Sequence, residues 1–192
     1  MTFPAEELVD WIDEEDRILQ VLPRREIRRR NLLHRVTSVL VFHPDGRVFV
    51  HRRTPTKDVY PGLFDVMVGG TVVSGENYPT NACREVAEEL GVRGVPLYDL
   101  FGHRFRDAHV NNLIRVYGCL YDGPLILQPE EVAEGFWAKP GEASERVASG
   151  RACPDSSQGW RLYLERYGGR GFAEIVEKEG LAAIECGELK QG

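Results

Sequence analysis

At 192 residues the chain suits one domain with a short appendage and can bury a sizeable core. Its net charge of −6 argues against a general nucleic-acid binder, yet leaves room for an anionic substrate, because a bound cation inverts the local field. No apolar run approaches the ~20 residues of a membrane span, and the acidic start MTFPAEELVDWIDEED lacks the apolar stretch of a signal peptide. Cys83, Cys119, Cys153 and Cys186 are scattered, with no CxxC pair and no Cys/His finger spacing, so the expectation is a cytoplasmic protein with reduced thiols and no zinc ribbon.

Residues 7–21 read as a strand, an acidic turn and a second short strand, and RREIRRRN (24–31) reads as a short basic helix with a solvated charged face. Two β-branched runs flank Pro44-Asp45-Gly46, the pattern of a tight hairpin turn. The unbroken apolar run Val39 to Phe42 predicts a strand buried on both faces. TPTKDVYPG (54–62) is a loop, and LFDVMVGG (63–70) a further strand ending in two glycines. A helix follows from Pro79, at its first turn, to Leu90, with Gly91 just past its end. Two strands around a polar turn, GVPLYDLFGHRFRD and NNLIRVYGCLYDG, lead to a last short strand in EVAEGFWAKP that Pro140 helps to stop. DSSQGWRLYLERY (155–167) predicts a helix burying Trp160, Leu164 and Tyr167; FAEIVEKEG predicts one more short helix, and the final residues read as loose. The expected fold class is therefore α/β, with a mixed β-sheet between helices.

The central helix carries the chemistry. Ala82, Cys83, Val86, Ala87 and Leu90 fall on one side of a 3.6-residue period, with Cys83 as a core residue, while Glu85, Glu88 and Glu89 share the opposite arc of roughly 100°. Carboxylates spaced i, i+3 and i+4 sit within about 5–6 Å at Cβ and repel unless a positive charge lies among them. Arg84 can pair with Glu88, but one guanidinium does not balance three carboxylates. A hard divalent cation would, since magnesium prefers oxygen ligands. The competing reading is that glutamates are good helix formers and need no metal. Gly69 and Gly70 tip the balance, because glycine lets backbone approach a ligand closely.

Gly70, Glu76 and the run Arg84-Glu85-Val86-Ala87-Glu88-Glu89-Leu90-Gly91-Val92 fill every specified position of a 23-residue pattern that resembles the complete Nudix box. The strands on either side also resemble that fold over about residues 30–140. The resemblance implies an α/β/α sandwich whose members hydrolyse a nucleoside diphosphate linked to another moiety. Residues 1–30 would then be an N-terminal strand and helix packing on the core, 31–170 the Nudix domain, and 171–192 a C-terminal helical tail. It further implies that Glu85, Glu88 and Glu89, with the Gly69 carbonyl, hold Mg2+, with Mn2+ as an alternative. Arg84 would orient a catalytic glutamate and Glu76 would support the loop and helix; Glu85 or a residue outside the box would be the base. The implied partner is a small-molecule diphosphate, with no nucleic acid or membrane, and a homodimer is plausible by the same resemblance.

Outside the box, Glu130, Glu131 and Glu134 offer an extra ligand or base, with Glu131 the choice among them and a solvated acidic loop the alternative. Arg53 and Lys57 could clamp phosphate oxygens or simply end a charged hairpin, and Arg52 alternates to the other face. His34 reads as a structural hydrogen-bonding residue.

Two further readings compete. LHRVTSVLVF and RRTPTKDVYPGLFD also resemble isopentenyl-diphosphate isomerase, with His34, Arg53 and Lys57 at matching functional positions, but that family's catalytic cysteine and metal-binding histidine are replaced by Gly69 and Thr71. A silent binding module of the same fold would be expected to lose box glutamates, and none is missing.

Overall fold

The computed structural model describes residues 6–187. Its main sheet has strand order β5-β4-β3-β7-β6-β9, with β8 beside β4. The strands are β3 (His34–Phe42), β4 (Val48–Arg53), β5 (Phe64–Asp65), β6 (Leu97–Arg106), β7 (Asn111–Leu120), β8 (Val132–Ala138) and β9 (Ala183–Ile184). The β3–β7 pair is parallel and the other ladders are antiparallel, which makes the sheet mixed.

The run Val39 to Phe42 is buried throughout, and its alternation divides two cores. Leu40 and Phe42 join Trp160, Tyr163 and Phe172, from α4 (Pro154–Tyr167) and α5 (Phe172–Glu179), on one face. Val39 and Val41 join Ala82, Val86 and Leu90, from α2 (Tyr78–Leu90), on the other. This is an α/β/α sandwich. Its α4 buries Trp160 and Tyr167 as expected, while Tyr163 is buried more fully than Leu164.

A separate ribbon of β1 (Leu8–Ile12) and β2 (Ile18–Pro23) leads into α1 (Arg24–Arg30). The ribbon is fastened to the sandwich: the Ser74 N–H donates to the Leu8 carbonyl, and Arg35 reaches Asp10 at 3.1 Å and Asp16 at 2.6 Å.

Four elements differ from the sequence reading. The hairpin around Gly46, whose φ of +91° suits the tight turn, pairs only Phe42 with Val48; the strands then splay, β3 to β7 and β4 to β8. The segment 63–70 is not one strand: beyond Phe64–Asp65 it meets β3 through the Val39–Val68 bridge and the Thr37 N–H bond to the Gly70 carbonyl, with the Val36–Thr71 bridge beyond. Gly69, at φ +149°, interrupts it, in a conformation that side chains rarely tolerate. A helix not anticipated, α3 (Pro140–Ala148), begins at the proline that ends β8, since proline suits a first helical turn. The thiols are not all reduced: Cys83 is disulfide-bonded to Cys186, and only Cys119 and Cys153 are free among the described residues. The C-terminal segment pairs β9 with β6 and so brings Cys186 beneath α2, a closure spanning 103 residues that spacing alone conceals. The final residues, read as loose, lie largely outside the described range.

Candidate active site

Helix α2 begins at Asn77, whose side chain accepts the Thr80 N–H, and ends at Gly91 in the left-handed conformation. Asn81, fully buried in its first turn, ties it to the sheet by donating to the Thr71 carbonyl at 3.1 Å and to Glu76 at 3.0 Å. Its Oδ1 accepts the Thr37 hydroxyl. The helix is therefore latched by a polar residue that an apolar periodicity does not reveal.

Arg84 holds the acidic group together. It donates to both oxygens of Glu76 at 3.0 Å, and it lies 3.0 Å from Glu85 and 2.9 Å from Glu88. The two-pronged contact with Glu76 fixes the plane of the guanidinium and joins the glycine-rich loop to the helix.

The three helix glutamates are not equivalent. Glu88 is exposed, the Glu85 side chain is mostly covered, and Glu89 is buried, so the acidic arc is not a solvated face. Burial pushes the Glu85 carboxyl up to about 7, against the pull of Arg84. Burial, and then repulsion from Glu85, raises Glu89 well above the usual carboxylate range. Both shifts are the signature of like charges sharing a poorly hydrated site.

The glycines make room for this arrangement in two different ways. A β-carbon on Gly69 would lie 2.1 Å from the Thr37 carbonyl oxygen, so that glycine permits a backbone-to-backbone approach. A β-carbon on Gly70 would lie 2.7 Å from a Glu85 oxygen, so that glycine leaves space for the carboxylate itself. The Gly70 carbonyl accepts the Thr37 N–H, whereas the Gly69 carbonyl takes no backbone hydrogen bond from the described residues.

These groups border a cavity of about 210 Å³ whose other wall includes Arg24, Lys57, Gln128 and Glu131. Lys57 contacts the Glu131 carboxylate directly, which brings together two candidates from separate loops. Arg53 sits apart from the helix glutamates: its Nε and Nη2 donate to the Val59 carbonyl at 3.3 and 3.1 Å, and it lies 3.8 Å from Asp65. Arg53 borders a second arm of the cleft, of about 90 Å³, which shares Arg24, Lys57, Gly69 and Gly70 with the first. Arg52 points elsewhere and donates to the Gly62 carbonyl. Glu134 lies 3.8 Å from Arg52, away from the cavity. His34 is buried, with Nδ1 against the Leu32 carbonyl at 2.9 Å. Sequence reasoning missed Arg24 and Arg28, which reach the second arm from α1. Their four-residue spacing on a helix was the available signal.

The Nudix-domain profile matches residues 32–155, which contain the entire acidic loop and helix. The chain belongs to the Nudix family. An uncharacterized Nudix hydrolase of Pseudomonas aeruginosa, PA4841, is 45% identical over 160 residues, covering 83% of this chain and 94% of that one. The uncharacterized Nudix hydrolase YfcD of Escherichia coli is 35% identical over 173 residues, covering 90% and 93%. Among solved structures, the crystal structure of DR0079 from Deinococcus radiodurans superposes with a TM-score of 0.71 at 28% identity, over 81% of this chain and 98% of that one. The chain is thus a Nudix pyrophosphohydrolase, of a family that generally uses divalent metals and acts on small-molecule diphosphates. No helix among its described residues is long and apolar enough to cross a membrane.

The Nudix carboxylates fit a hard cation by their chemistry: Glu85, Glu88, Glu89 and the Gly69 carbonyl offer only oxygen donors on one cleft wall. As placed, no three His, Cys, Asp or Glu side chains among the described residues converge on one coordination point.

Proposed function

We propose that the chain is a divalent-metal-dependent hydrolase, using Mg2+ or Mn2+, that cleaves the pyrophosphate bond of a nucleoside diphosphate derivative or a related small diphosphate. The observation carrying this reading is that the crowded Glu85 and Glu89 carboxyls face the Arg24 and Lys57 cations across a single cavity. Glu85, Glu88, Glu89 and the Gly69 carbonyl would hold the cation, which when bound neutralises phosphate charge and activates water. Arg84 orients Glu85 and Glu88, and Glu76 orients Arg84 in turn. Glu85, with its carboxyl near neutrality, suits the acceptance of a proton from water, and Glu131 offers a second carboxylate across the cleft. Lys57 contributes positive charge to a phosphate oxygen, and Arg53 acts on the second arm while bracing the 54–62 loop.

The isomerase alternative is disfavoured by Gly69, because a cysteine there would drive its β-carbon into the Thr37 carbonyl. The binding-module alternative is disfavoured by the family assignment and the complete acid set. The same reading keeps 31–170 as the catalytic domain, with 1–30 packed on it and 171–192 as a C-terminal segment that closes it through α5, β9 and Cys186, in a cytoplasmic protein. A homodimer remains part of it, supported by Leu8, Ile18, Leu19 and Val21 exposed on the β1–β2 ribbon.

The test is a panel of diphosphate compounds with Mg2+ or Mn2+ and with chelator. Metal-dependent release of phosphate or nucleoside monophosphate is expected, falling by orders of magnitude in Glu85→Gln and Glu89→Gln. Full activity in chelator, or in both variants, would overturn the assignment.

A further inference from the structure

The second arm of the cleft holds a charge that the hydrolase chemistry described above does not use. Arg28 projects into it from α1, with Nε and Nη1 buried and without a hydrogen-bond partner among the described residues. Arg24, one turn earlier, is in the same condition at Nε, and the Oδ1 of buried Asn112 is likewise unpartnered. The amide of Asn112 can present either end to a ligand.

Acidic groups also border this arm, and none of them forms an ion pair with Arg28. Asp65 faces Arg53 at 3.8 Å, Asp58 reaches Arg24 only at 3.5 Å and is itself half exposed, and Asp155 accepts the Ser156 N–H. Arg28 makes no ion pair with any described residue. Burial, together with repulsion from Arg24, works against its charge and outweighs the attraction of Asp58 and Asp155. A guanidinium cannot escape that cost by losing its proton, so a buried unpaired one is stabilised when an anion completes it.

The shape of the cleft narrows the choice of anion. The arm is about 90 Å³ and adjoins the carboxylate arm, with which it shares Arg24, Lys57 and Gly70. Tyr60 is the sole aromatic residue bordering either arm among the described residues, and its hydroxyl is held by Asp107 at 2.6 Å. The arm therefore offers forked cationic donors and little stacking surface, which suits a phosphate rather than a nucleobase.

We propose that Arg24 and Arg28 form a subsite for the terminal phosphate of the substrate, selecting diphosphates that end in a free phosphate over those capped at both ends. This rests on the hydrolase reading for the identity of the substrate, but the subsite can be measured without turnover.

Calorimetric titration of the full chain with inorganic phosphate and with pyrophosphate, in chelator and low salt, tests it directly. One site per chain is expected. Arg28→Gln and Arg24→Gln should each weaken it tenfold or more, Arg28→Lys should restore part of the loss, and the exposed Arg29→Gln should bind as the parent does. Unchanged binding in both Arg24→Gln and Arg28→Gln, with thermal melts showing folded protein, would overturn the subsite, as would absence of binding in the parent. A second arm compares kcat/KM for adenosine diphosphate with that for diadenosine diphosphate, and Arg28→Gln should erase a preference for the former. If hydrolysis proceeds and Arg28→Gln leaves that ratio unchanged, the subsite fails and the hydrolase stands. If no compound is cleaved yet phosphate binding depends on Arg28, the subsite stands and the hydrolase reading fails.

Discussion

Gly70 faces Glu85 so closely that any side chain on the glycine would meet the carboxylate, a β-carbon lying 2.7 Å from one of its oxygens. The glycine is thus a spacer for a side chain on a neighbouring helix. Gly70→Ala is expected to displace the Glu85 carboxylate at little cost in stability, because the group that must give is the end of a flexible side chain rather than backbone. Turnover should fall at least tenfold, because a displaced Glu85 loses its place beside Arg84. Denaturant unfolding and steady-state kinetics on the same preparation check both, and parent-like activity would show that Glu85 has room to spare.

The raised carboxyls make a prediction about pH. A carboxyl with its pKa raised by folding stabilises the folded state while protonated. That contribution is complete below the ordinary glutamate range and is lost as pH rises through about 7 for Glu85, with Glu89, also raised, acting in the same direction. In chelator, Tm should therefore decline across this window, and Glu89→Gln should flatten the decline, by about 2–4 °C for each kcal/mol in a chain of this size. With Mg2+ the trend should reverse, since cation binding favours deprotonated ligands. Scanning calorimetry at stepped pH measures both slopes; an identical slope in Glu89→Gln would sink the assignment.

Arg84 is expected to be irreplaceable by lysine. An ammonium cannot make the two-pronged contact with Glu76 while also reaching Glu85 and Glu88. Arg84→Lys should cost about 1.5–3 kcal/mol through lost charge-assisted hydrogen bonds. A double-mutant cycle with Glu76→Gln should show coupling, as residues sharing one network do. Additive losses would mean that the two act separately.

The Cys83–Cys186 bond ties the helix that carries the acids to the C-terminal segment. Reductant, or Cys186→Ser, is expected to lower stability by about 2–4 kcal/mol, the usual range for a native disulfide. Mass spectrometry after alkylation under denaturing conditions counts the free thiols. Two free thiols in protein purified without reductant, rather than four, is the expected count.

What could be read along the chain was what is local. The box helix declares itself through Pro79, Gly91 and one apolar face, and the sandwich follows from the doubly buried run at Val39. Long-range pairings leave no such trace: Lys57 meets Glu131 across 74 residues, and nothing in either loop announces the other. α1 is a helix as the sequence suggests, but its inward face is hidden for a different reason. Charge surrounds it and only Ile27 is buried, so periodicity could not separate the arginines facing solvent from those facing the cleft. The break at Gly69 was invisible because a strand ending in glycine and a bridge interrupted by glycine have the same composition.

The parallel pairing of β3 with β7 also bears on the order of assembly. His34 lies opposite Asn112, and the intervening chain contains the glycine loop and the box helix, both of which lean on β3. α2 can form early from its own caps, but the floor beneath it requires contacts between distant segments, whose closure is slow. Refolding should therefore recover helical signal before it recovers the cleft. A nascent chain released before β7 has emerged would carry every acid of the box and still lack a working enzyme.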